Sequence, residues 1–401
     1  MKKFSYEVRD KATDKIEKGE VQADNSRLAG KLLLERGYIP LKIKEADSGG
    51  TFSKFTNRIT IKDKIVFTRQ FSTLVGAGLP LAQGLRTVSE QTENKKMKSV
   101  IDDILANIEA GSSLSDSFSK HPEVFDKVYL ALVAAGELSG TLDESLRRIA
   151  AQQEKDAAMM SKIRGALTYP TIVLVVIGAV VAFMMFTVVP QVEQLYGSLK
   201  KEVPMMTQIL ISLSGFLANF WWIIMLILGI GFWFLKQWLK TDLGIRFAAI
   251  FKLNVPIFNP LFRKLYMARF SRTGQLLLST GVSMNDMLSI TSEAVNNVVI
   301  KKSIDEANKL VQGGKNLSDA LKDKDYILIL VPQMISIGEQ SGKIDEMLGK
   351  TAQVYEDELD EQIKAISTMI EPILMVVLAV VAGGLIGAIL MPIYGLVGQV
   401  Q

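Results

Sequence analysis

The chain has 401 residues, 48% hydrophobic and 22% charged, with a formal net charge of +4. Its apolar residues are clustered and its charges gather elsewhere, so it divides into lipid-facing and water-facing parts. No cysteine and a single histidine exclude disulfides, thiolate metal sites and cysteine nucleophiles, and the weak, interspersed charge offers no basic stripe for nucleic acid.

Residues 1–45 read as a small α/β module. Phe4, Tyr6 and Val8 alternate, Lys15 to Ala23 suits a second strand, and Tyr38 to Ile43 a third. A short helix is expected over Ser26 to Arg36, stopped by Gly37. No apolar run follows the first basic residues, so no cleavable signal is expected. Residues 46–60 are a linker, and 61–168 a helical domain in which Phe67, Phe71, Leu74 and Val75 recur at helical spacing before Gly78. His121, before Pro122, reads as a solvated loop residue. Two capping boxes are expected, Ser113 with Asp116 and Thr141 with Glu144, the second opening a long helix that runs into the membrane.

Three uncharged stretches are long enough to cross a bilayer, which needs roughly 20 apolar residues. They occupy 169–190, 209–238 and 371–396, with an external loop over 191–208 and a second helical domain over 239–370. The second stretch has two readings. One spans Ile209 to about Phe232; the other is framed by Trp221 and Trp222 at one end and Trp233 and Trp238 at the other, as an aromatic belt. Lys155, Lys162 and Arg164 before the first span, and Lys236, Lys240, Arg246 and Lys252 after the second, place both helical domains in the cytoplasm. The short loop and the C-terminus then fall outside.

The two helical domains are copies of one another. At a shift of about 203 residues, Phe67, Arg69, Leu74 and Gly78 match Phe270, Arg272, Leu277 and Gly281, and Leu114-Ser-Asp116 matches Leu317-Ser-Asp319. GELSGTLDESL (136–146) then matches GEQSGKIDEML (338–348). Tyr169 and Pro170, at the start of the first span, fall on Glu371 and Pro372 at the start of the third. Both copies run from soluble domain to span in one direction, so the repeats are parallel and the unpaired second span must return the chain. The fold class expected is mainly α: a polytopic membrane protein with two repeated helical bundles, three transmembrane helices and the N-terminal module.

The repeated motif places Gly136, Glu137, Ser139, Gly140, Asp143 and Glu144 on Gly338, Glu339, Ser341, Gly342, Asp345 and Glu346. Its acids could meet a partner or a cation; the structural reading, preferred, is a glycine-bounded turn with acids at the next helix's N-terminus. Asn316 is expected to cap as Ser113 does, Lys343 replaces Thr141, and Ser283 replaces Pro80. Ala379, Gly383 and Gly387 form a small-residue stripe suited to helix packing. No nucleotide loop, hydrolase elbow or metal-binding helix is present, and the spans carry no ionisable residue in their interiors. No catalytic, cofactor or metal residue is therefore expected.

The FSYEVRD, KGEVQAD and LLLERGYIPLKI stretches, VGAGLPL, GELSGTLDE and TYP before the first span together resemble one family along nearly the whole chain. It is that of the inner-membrane platform proteins of type IV pili and type II secretion systems, PilC and GspF. The resemblance implies a non-enzymatic, homo-oligomeric scaffold in the cytoplasmic membrane. Its expected partners are a cytoplasmic hexameric assembly or retraction ATPase, the transmembrane helices of pilins or pseudopilins, and other inner-membrane assembly proteins. It does not distinguish a pilus from a secretion or DNA-uptake machine. The alternative reading is a membrane transporter or permease subunit, against which the absence of an intramembrane polar site counts.

Overall fold

The computed structural model describes residues 2–10, 16–23, 28, 30, 32–33, 38–45, 58–199, 205–256 and 258–397. Near the N-terminus, β1 (Lys2–Asp10), β2 (Ile16–Ala23) and β3 (Tyr38–Glu45) form one antiparallel sheet in the order β2-β1-β3. β1 pairs from Lys2 with Ala23 to Arg9 with Ile16 on one edge, and its register on β3 slips between Glu7 and Val8. Val8 and Leu33 are buried. The helix expected over Ser26 to Arg36 falls largely outside the described residues.

Copy one is six helices: α1 (Ile61–Gly76), α2 (Leu81–Gln91), α3 (Lys95–Glu109), α4 (Leu114–Ser119), α5 (Lys127–Ser139) and α6 (Leu142–Phe183). The boundaries follow from caps. Thr60 and Asp63 form a reciprocal capping box, and Asn94, Ser113 and Asp126 each accept a first-turn N–H. In α3, Met97, Val100, Ile101 and Ile104 are buried at the spacing of one helix face.

A continuation of α6 forms a π-helical turn over Met184–Val188 and then α7 (Val189–Leu199). Pro190 has no N–H to offer the Phe186 carbonyl, and the wider turn adapts the helix to that loss. The region expected as a loop over 191–208 is thus helical through Leu199 and again from Met205. Apolar residues such as Val192 and Tyr196 are buried there, which carries the helix past Glu193.

α8 (Met205–Trp238) carries the second span, and α9 (Asp242–Asn254) has no counterpart among the described residues ahead of copy one. Copy two then repeats the six helices as α10 (Asn259–Ser279), α11 (Met284–Ala294), α12 (Val298–Gln312), α13 (Leu317–Leu321), α14 (Leu330–Ser341) and α15 (Ile344–Val397). Glycines with positive φ recur in register: Gly78 with Gly281, Gly111 with Gly314, and Gly140 with Gly342. Ser283, which replaces Pro80, caps α11 through the Asp286 N–H, whereas Pro80 starts α2 with no side-chain bond.

The cores of the two copies are complementary rather than identical. Copy one holds an aromatic cluster in which the Phe118 ring lies 4.5 Å from Phe125 and that of Phe125 4.8 Å from Tyr129. A Cβ on Gly84 would meet the Phe71 ring at 3.4 Å. In copy two the sizes are exchanged: Gly274 stands where Phe71 does, Met287 where Gly84 does, and the Met287 sulfur fills the space 3.3 Å from a Gly274 Cβ. Close packing requires such paired exchanges, because interiors leave little free volume.

The helices of Leu142–Gln194, Thr207–Trp238 and Ile344–Gly384 are long and apolar enough to cross a membrane. Met185 and Val189, beside the π turn, pack with Leu210, Ile211 and Leu217 of α8 and with Val381 of α15, so the three spans converge there. The Ser214 hydroxyl, buried in α8, donates to the Met185 carbonyl at 2.5 Å. A hydroxyl in an apolar span needs such a partner, and the π turn supplies it.

Candidate functional site: the repeated acidic turn and the junction of the bundles

In the repeated motif the glycines have local roles. Gly136 is where α5 passes closest to α6, since a Cβ there would lie 2.5 Å from the Ser145 hydroxyl oxygen. A Cβ on Gly338 would lie 2.7 Å from the Ile344 Cα. Gly140 and Gly342 end their helices with φ of 72° and 70°, a left-handed conformation that glycine adopts without strain. Thr141 and Lys343 both donate their backbone N–H, at 2.9 Å, to the carbonyl of the motif's first glycine.

Glu137 reaches across to the other repeated segment. Its carboxylate accepts from the backbone N–H groups of Leu114 and Ser115 at 2.8 and 3.1 Å, and from the Ser115 hydroxyl at 2.9 Å. Glu339 does the same in copy two, accepting from the N–H groups of Leu317 and Ser318 at 2.7 and 3.2 Å and from the Ser318 hydroxyl at 2.5 Å. The carboxylate thus clamps the N-terminus of a short helix, where unpaired N–H groups and the helix dipole favour negative charge.

Two expected caps are corrected. The Thr141 hydroxyl does not cap α6: it is 2.7 Å from the Ser139 hydroxyl, and Thr141 has φ −109° and ψ 39°, away from the extended conformation of an N-cap. Asn316 makes no side-chain cap bond, so α13 relies on Glu339. The remaining acids turn elsewhere. Glu144 accepts from Arg148 at 2.6 Å, and hydrogen bonding from Lys343, with the charge of Lys350 nearby, holds the Glu346 carboxyl below its ordinary range. Among the described residues no group of three or more His, Asp or Glu side chains is spaced to hold a metal ion. His121, expected to be solvated, is largely covered and lies 2.8 Å from Asp103.

The bundles meet along a junction that the sequence did not mark. α5 and α6 of copy one pack on α10, α11 and α15 of copy two, and one apolar core runs through both. Lys127 bonds Glu293 at 2.8 Å, Arg148 the Ser279 hydroxyl at 2.6 Å, and Lys162 Asp360 at 2.6 Å. Lys155 lies beside Glu356 at 3.7 Å and, further along, Lys162 beside Asp360 at 2.6 Å, so the contacts advance together and α6 and α15 run side by side in one direction. A cleft of about 630 Å³ opens between α5, α6, α10 and α11. Burial in it raises the Asp156 carboxyl above its ordinary range, against the opposing charge of Arg269 and a 3.1 Å hydrogen bond from Gln152.

The contact is not symmetric. Arg272 forks onto Glu356 at 2.8 and 2.7 Å, with side chains only 14% and 17% exposed, and Lys155 of copy one comes within 3.7 Å. The same pair in copy one, Arg69 with Glu154 at 3.2 Å, is 71% and 40% exposed. Similarly α5 is sandwiched between copies, whereas its counterpart α14 packs on α13 and α15 of its own copy and leaves Ile329 and Ile337 exposed.

The residues at the span starts lie inside continuous helices: Tyr169 and Pro170 in α6, Glu371 and Pro372 in α15, with Tyr169, Glu371 and Pro372 exposed. Ala379, Gly383 and Gly387 share a face of α15, and among the described residues nothing outside that helix comes within 4 Å of a Cβ on either glycine. The chain's own helices leave that stripe open.

This geometry defines a class: a duplicated helical membrane protein in which each bundle leads without a break into a span. The sequence profile of type II secretion system (T2SS) protein F matches residues 67–190 and again 270–392, and that of the protein's N-terminal domain matches residues 1–44. The chain belongs to this family. It is 35% identical to the type IV pilus assembly protein PilC of Thermus thermophilus over 99% of each chain. The PilC of Pseudomonas aeruginosa is 36% identical over 91% of this chain and 97% of its own. The type II secretion system protein F of Vibrio cholerae is 30% identical over 98% of each.

Proposed function

We propose that the chain is a non-enzymatic inner-membrane platform of a type IV pilus or type II secretion machine. In this reading its bundles are cytoplasmic and receive a hexameric assembly ATPase. Its spans contact pilin or pseudopilin transmembrane helices and help them leave the bilayer into the growing filament. The N-terminus is then cytoplasmic and the C-terminus external.

The observation that carries the reading is mechanical. α15 runs 54 residues from the acidic turn of its bundle to the end of its span, and α6 runs 42 residues before the π turn. At about 1.5 Å per residue, each is a rod longer than a bilayer is thick, so a displacement of the bundle moves the span directly. Full-length relatedness to pilus assembly and secretion proteins supports the same reading. The open Ala379–Gly383–Gly387 stripe offers close approach to another helix, and the exposed Ile329 and Ile337 offer a face to another chain.

The test is copurification of the detergent-solubilised full chain with a hexameric assembly ATPase of the same organism, with crosslinks read by mass spectrometry. Crosslinks confined to 61–168 and 259–370 support the platform. Absence of any complex, with an ATPase rate unchanged by the chain, contradicts it.

A further inference from the structure

The helix α9 exposes an apolar face that a water-facing surface does not favour. Leu243 is 76% exposed, Phe247 56%, Ile250 36% and Phe251 58%. At positions i, i+4, i+7 and i+8 they share one side of the helix. The opposite side is already used: Ala249 and Leu253 are buried, where α9 packs on α10 and α12. A helix apolar on two sides has a second environment to fill.

Chain geometry states what that environment is. α8 ends at Trp238 and α9 starts at Asp242, so α9 cannot leave the level at which α8 ends. The elbow is tight: a Cβ on Gly244 would lie 2.0 Å from the Trp238 carbonyl oxygen, and the Thr241 side chain caps α9 through the Gly244 N–H at 3.2 Å. The Trp238 and Phe247 rings are 5.4 Å apart and those of Phe247 and Phe251 6.2 Å, so the apolar surface of α8 continues onto α9. Lys236, Lys240 and Arg246 belong to the same stretch against the single acid Asp242, the charge balance that anionic lipid headgroups attract, while Lys252 turns to the bundle, its Nζ 5.8 Å from the centre of the Phe262 ring.

We propose that α9 lies in the headgroup–acyl boundary of the membrane that α8 crosses. Leu243, Phe247, Ile250 and Phe251 sit among the upper acyl chains, and Lys236, Lys240 and Arg246 face the phosphates. The inference rests on α8 being a span. It gives copy two a collar on the bilayer, and so fixes the height of the joined bundles above the membrane.

The chain has no cysteine, so single nitroxide labels can be placed in the full-length protein at Leu243→Cys, Phe247→Cys and Phe251→Cys. Asn285→Cys on the bundle serves as a water control and Ile227→Cys in α8 as a bilayer control. In vesicles of mixed zwitterionic and anionic phospholipid, the three α9 labels are expected to collide with oxygen in preference to an aqueous nickel chelate. Their depth should be about 5–10 Å below the phosphates. Nickel access equal to that at Asn285, with Ile227 still in lipid, overturns the proposal alone. Nickel access at Ile227 overturns the span reading beneath it. Shielding of the α9 labels from both reagents shows a protein covering the face and also overturns the proposal.

Discussion

Replacing Glu137 by alanine removes the clamp between the two repeated segments of copy one. The carboxylate accepts three hydrogen bonds, from Leu114 N, Ser115 N and Ser115 Oγ. α4 is six residues long, too short to hold its own turns without tertiary support. Ser113 still caps the Asp116 N–H at 3.0 Å, so the loss is that of the first two N–H partners and the charge at the helix start. A hydrogen bond to a charged group contributes about 1.5–3 kcal/mol, and the site is only partly buried, which sets the expected cost at about 2 kcal/mol. That equals a roughly 30-fold rise in the local opening equilibrium. Hydrogen exchange of the full chain in detergent, read by mass spectrometry over residues 112–120, measures it. Glu137→Gln, which keeps one acceptor oxygen and loses the charge, should fall between the two. Glu339→Ala should accelerate exchange at Leu317 and Ser318 by more, because Asn316 supplies no cap. Exchange in Glu137→Ala within about threefold of the unaltered chain would refute the clamp, given the expected 30-fold.

Three further outcomes are expected. Arg272→Ala leaves the covered Glu356 with only Lys155 and should destabilise the junction by about 2–3 kcal/mol, whereas Arg69→Ala, at the exposed equivalent pair, should cost under about 1 kcal/mol; denaturant unfolding of both variants checks the contrast. Gly136→Ala should lower the melting temperature, because overpacking against Ser145 costs about 1–3 kcal/mol and exceeds the roughly 1 kcal/mol gained in helix propensity. Burial raises Asp156 above its unfolded value, with Arg269 opposing and Glu356 and Asp126 reinforcing the shift. The folded form therefore holds the proton more tightly, and stability is lost as pH rises from the ordinary carboxylate range through the raised value. Asp156→Asn should flatten that part of the stability profile; a profile unchanged by the substitution counts against burial as the cause.

The fold was legible where local chemistry decides it. Caps such as Ser113, glycines such as Gly78 and Gly281, and the long uncharged runs each act within a few residues, so their spacing announces helices and spans. The repeat was legible because both copies keep these local signals. What was hidden depends on partners distant in sequence. Glu137 acts on backbone groups 22 and 23 residues away, and no spacing rule reveals that. Thr141 has the sequence of a capping box, yet the turn at Gly140 sets its backbone outside the capping conformation. The junction is invisible because Arg69 and Arg272 are the same residue in the same motif, and only packing covers one of them. The outward face of α9 resembles any amphipathic helix until its inward face is known to be occupied. Tyr196 and Val192 extended the first long helix because their burial outweighed the polar residues between them.

The most direct test of the platform itself is reconstitution. Vesicles carrying the full chain and a pilin, supplied with the assembly ATPase and ATP on the side facing the bundles, should release pilin transmembrane helices into filaments. The same vesicles without the chain should release none. Equal release with and without the chain, or release that needs no ATP, would contradict the reading of continuous helices as the link between the ATPase and the membrane.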